Sequence, residues 1–109
     1  MNTIEPIDRM LELTGIDLFF DGFSIKGQLG FSLTIFHGET SANTIDKRDY
    51  EFHCSAKDIK EFEISKGMIF TCKDTIENFI FSFSIRKEPV VDITGWAIVY
   101  IDFLGIETI

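Results

Sequence analysis

The sequence predicts a mainly β fold: a small antiparallel barrel or sandwich of about six to seven strands with a short N-terminal α-helix. Three observations lead there. Apolar residues alternate with polar ones in short runs, as at 79–86, where Phe79, Phe81, Phe83 and Ile85 interleave with Ser82, Ser84 and Arg86. Turn signals such as Asp21-Gly22 and Lys66-Gly67 punctuate the runs, at a spacing of about 8–12 residues. Phe supplies 12 of the 109 residues, and Phe both favours strands and fills a small core quickly.

A chain of 109 residues suffices for one domain, 1–109, with residues 1–15 as the helical segment and 16–109 as the barrel. Residues 3–14 read as the helix. Thr3 is placed to cap it, Glu5 suits the first-turn dipole, and Pro6 is tolerated so near the start. Ile4, Ile7, Met10 and Leu11 fall on one face, and Gly15 is a natural stop. Three turns alone are marginal in water, so that face needs something to lie on.

After Gly15 the period changes. Ile16–Phe20 and Phe23–Ile25 flank Asp21-Gly22 as a hairpin. Phe31–Phe36 reads as another strand, with Gly27 and Gly30 expected to bend or bulge the chain before it. Residues 37–48 are polar and without period, and read as a long loop. Tyr50, Phe52 and Cys54 alternate as a strand, then Ser55 caps a short helical turn reaching Phe62. Met68–Lys73 and Phe79–Ile85 form two strands joined through 74–78, and Lys87-Glu88-Pro89 ends the second. Trp96–Leu104, apolar on both faces except for Asp102, reads as a strand buried on both sides, with Trp96 in the core.

Charge narrows the function. Ten Lys and Arg against 18 Asp and Glu give a net charge of -8, which disfavours binding nucleic acid through a basic surface and disfavours anionic membranes. The acidity keeps a Phe-rich protein soluble, or meets a basic partner. No apolar run is long enough to span a membrane, and residues 1–10 lack the pattern of a secretion signal. Cys54 and Cys72 sit in apolar strands and read as reduced core thiols of a cytoplasmic protein.

No catalytic or metal-ligating set is legible. His53 and Cys54 are adjacent in a strand and point to opposite faces, leaving His37 as the other imidazole. The glycines do not form a phosphate loop. The expectation is a protein that is not an enzyme, binds no cofactor and works by contacting other proteins. Residues 38–48 and the N-terminal helix are its expected assembly elements. Their contact residues are Ile4, Ile7, Met10 and Leu11 on the helix, and Glu39, Asn43, Ile45, Lys47 and Arg48 in the loop.

The order of features resembles a known family. A helix leads into Ile16–Gly30 with its Asp-Gly turn, and a long polar loop precedes Tyr50-Glu51-Phe52-His53-Cys54 and Ala56-Lys57-Asp58-Ile59. Lys66-Gly67-Met68-Ile69-Phe70, the alternating Phe79–Ile85 run and Asp92-Ile93-Thr94-Gly95-Trp96 follow. This is similar to the small head–tail joining proteins of lambda-type tailed bacteriophages. The resemblance implies a β-barrel with a mobile N-terminal segment and a mobile loop. It implies assembly as a ring, through contacts with itself and with head connector and tail proteins, first in the bacterial cytoplasm and then in the virion. Two other classes stay open: a small acidic inhibitor or immunity-type protein that binds a basic enzyme, and an enzyme or ligand-binding barrel.

Overall fold

A computed structural model describes residues 6–36, 50–74 and 78–108. Of the expected contact residues, Ile4, Glu39, Asn43, Ile45, Lys47 and Arg48 lie outside these, as do Thr3 and Glu5. Helix α1 (Pro6–Thr14) precedes strands β1 (Ile16–Phe20) and β2 (Phe23–Leu29), and a 3₁₀ turn follows at Leu33–Phe36. Then come β3 (Tyr50–Ser55), helix α2 (Ala56–Glu61), β4 (Ile69–Asp74), β5 (Phe79–Ile85), β6 (Val90–Val91) and β7 (Trp96–Thr108).

Six strands close into an antiparallel barrel in the order β1-β2-β3-β7-β5-β4, returning to β1, with the short β6 added beside β7. Pairing directions define two ends. One holds the β1–β2 hairpin turn, the end of β3, α2 and the start of β7. The other holds the starts of β1, β3 and β5 and the ends of β2, β4 and β7. We call them the α2 end and the far end.

Alternation aims one residue in two at the interior. Leu18, Phe52, Cys54, Cys72, Phe81, Phe83, Ala97, Val99 and Ile101 are fully buried there. The filling is aromatic. Phe36 stacks on Phe103 with centroids 4.2 Å apart, and Phe83 meets Phe70 at 5.5 Å and Phe36 at 5.7 Å. At the α2 end Phe20, Phe23 and Phe62 stack in series, at 4.9 and 4.5 Å.

Two glycines answer specific demands. Gly22 takes φ +88° in the hairpin turn. Gly27 lies within β2, where pairing passes from Ile16 of β1 to Cys54 of β3. Its role is room, because a Cβ there would lie 2.7 Å from Leu18 Cδ1.

Other differences from the sequence expectation have physical causes. Residues 33–36 form a 3₁₀ turn, not a strand. The period of three places Leu33 and Phe36 together, and it drives Phe36 between Phe103, Phe83 and Tyr50. Strand β7 runs on to Thr108 and is buried on one face only: Ala97, Val99, Ile101 and Phe103 point inward, while Ile98, Tyr100 and Asp102 are half-buried. Its outer face is partly covered by side chains from its neighbours. The Lys87 ammonium lies 4.2 Å from the Tyr100 ring centroid, and Arg86 holds the Asp102 carboxylate at 2.6–2.8 Å. Trp96 is half-buried at the α2 end, outside the interior cluster. Between Ser82 and Phe83 the β5–β7 register shifts, which leaves Leu104 unpaired and exposed. Strand β6 was not anticipated, because Val90-Val91 is too short a run to carry a period.

Candidate interaction surfaces

Helix α1 lies along the outer wall of β2 and β3. Pro6 is its first residue, where a missing N–H costs nothing. Leu11, only 2% exposed, is the anchor; it is buried beneath the helix, apart from the barrel interior. Ile7, one turn earlier, is half-buried and reaches to 3.1 Å from where a Cβ on Gly95 would stand. Asp8 pairs with Lys57 of α2 at 3.0 Å, and Gln28 of β2 donates to Thr14 Oγ1 at 2.6 Å.

Of the helix residues expected to make contacts, the structure therefore places Leu11 and Ile7 within the protomer and Met10 at its surface, 48% exposed. Met10 is joined there by Pro6 and by Leu13, 79% exposed. Residues 6, 10 and 13 have the spacing of a second stripe beside the docked one. Leu13 carried a readable signal, being three residues beyond Met10, but the first stripe alone explained a docked helix.

A second apolar surface stands at the α2 end. Val90, Val91 and Ile93 are exposed, Ile93 completely. The turn that carries them is tied down. The Asp92 carboxylate accepts from the backbone N–H groups of Thr94 (2.8 Å) and Trp96 (3.2 Å) and from the Thr94 hydroxyl. These donors, the Thr94 hydroxyl first, hold the Asp92 carboxyl below the usual carboxylate range. Gly95 accepts from the Ala56 N–H at 2.8 Å, fixing the turn to the start of α2. In sequence this segment showed only as the Thr-Gly-Trp lead-in to a strand, which does not say that Ile93 faces solvent.

Charge collects in a groove between α1, β2 and α2, a cavity of about 540 Å³. Asp8, Glu12, Asp58 and Glu61 face Lys26 and Lys57 across it. Partial burial, then the charges of Asp8 and Glu61, raise the Asp58 carboxyl above its ordinary value, against the pull of Lys57. Ser55 caps α2, its hydroxyl accepting from the Lys57 N–H at 3.3 Å. At the far end, Ile16, Leu29, Phe31, Leu33, Lys73 and Asp74 are among the residues that line a separate cavity of about 580 Å³.

Cys54 and Cys72 are free and fully buried. Burial pushes both thiols up to about 12, with the Asp58 charge adding to the effect on Cys54. Such thiols are poor nucleophiles and poor metal ligands near neutrality. His53 contacts Glu51 at 3.2 Å on the outer wall. Among the described residues no three His, Cys, Asp or Glu side chains are grouped to hold a metal ion, and no helix is long and apolar enough to cross a membrane. No protein-family model, curated protein or solved structure matches the chain.

Proposed function

We propose that this protein is a non-enzymatic assembly module that forms a ring through protein–protein contacts, in the manner of the phage head–tail joining proteins its sequence resembles. One observation carries the reading. The barrel interior is filled by its own Phe side chains, while exposed apolar residues gather on α1 and on the turn beside β6. An outer surface of this kind suits protein contact. The partners on this reading are further copies of the chain, a head connector and a tail protein, met in the host cytoplasm and retained in the virion. The loop residues Glu39 to Arg48 take part in this proposal on the strength of the sequence alone.

Sedimentation velocity and native mass spectrometry across a concentration series, with and without a purified phage connector, test it. The expected result is a discrete ring, nucleated by the connector, that Met10→Lys with Leu13→Lys weakens without lowering the melting temperature. No self-association and no connector binding would remove the reading.

The acidic groove supports a second reading, a small inhibitor of a basic enzyme, since Asp8, Glu12, Asp58 and Glu61 converge there. A one-to-one complex with such an enzyme, weakened by reversing those charges, would favour it.

A further inference from the structure

We draw no further inference here: the strongest candidate, the exposed apolar patch of Val90, Val91 and Ile93 on the turn between β6 and β7, carries nothing beyond the contact surface already described, because nothing in the structure shows what covers it.

Discussion

The barrel interior and the seat of α1 lie on opposite sides of the same wall, and different forces hold them. Inside, Phe36, Phe52, Phe70, Phe81 and Phe83 interlock with ring centroids 5.1–6.4 Å apart, and Phe36, Phe70 and Phe83 each meet several other rings. Outside, among the described residues, α1 rests on the buried Leu11, with Ile7 half-covered, the Asp8–Lys57 ion pair and the Gln28–Thr14 hydrogen bond. The interior is a cooperative unit whose parts fail together. The helix seat is a local equilibrium that can open while the barrel stays closed.

The largest effect expected is inside. Phe83→Ala removes a ring that touches Phe31, Phe36, Phe70 and Phe103, and should cost about 3–5 kcal/mol. Much of a small domain's stability would be lost, and the denaturation midpoint should fall for every probe at once. A midpoint unchanged within error would break the comparison, since the aromatic lattice would then not be cooperative.

Leu11→Ala comes next, at about 2–3 kcal/mol, the low end for a buried leucine because the helix can settle after truncation. The cost should appear locally. Hydrogen exchange at residues 6–14 should accelerate strongly while β5 and β7 keep their protection. Uniform loss of protection would show that α1 and the barrel form one unit.

The thiols probe the interior by pH. Their pKa values stand at about 12 in the fold against an ordinary 9.0. Between these values the unfolded chain loses protons that the folded one keeps, so stability falls as pH rises from about 9 toward 12. The slope is at most about 1.4 kcal/mol per pH unit per thiol. Denaturant titrations at pH 8 and pH 10 should show this loss, smaller in Cys72→Ala after correction for the packing change. Equal slopes in the two proteins would show that the interior admits water.

The same contrast explains what the sequence made legible. The barrel could be read because a filled interior forces strict alternation, and Phe79–Ile85 and Tyr50–Cys54 display it. Phe31–Phe36 misled because Phe31, Leu33 and Ile35 imitate period two, whereas the contact that decides the segment is Phe36 with Phe103, 67 positions later in the chain. The apolar run in β7 concealed which face lay outside, since half-buried Ile98 and Tyr100 are covered by neighbours that no local pattern reveals. The exposed surfaces were not legible: helical spacing grouped Met10 with Ile7 and Leu11 on one face, whereas Met10 stands in solvent and Leu11 is covered. Exposure of Ile93 depends on where a turn points once the barrel has closed.

The smallest effect concerns the seam between the two helices. Asp58 lies in the first turn of α2, facing Asp8 of α1 and Glu61, with Lys57 opposing their repulsion. Its carboxyl is raised above 3.8 by burial and by those neighbours. A raised carboxyl means that the folded state binds more protons than the unfolded one between the two pKa values. Stability therefore declines as pH rises through that window, and the penalty persists at neutrality. Asp58→Asn removes the charge and keeps the shape. It should stabilise the protein at pH 7 by no more than about 0.5 kcal/mol, the range of an exposed substitution. It should also slow hydrogen exchange in α1, since the charge relieved faces the helix seat. The gain should vanish below pH 3, where the wild-type carboxyl is itself protonated. A loss of stability at pH 7 would mean that the favourable interaction of Asp58 with the α2 dipole outweighs the repulsion across the seam. In that case the acidic groove would be stabilising α2 instead of loosening α1.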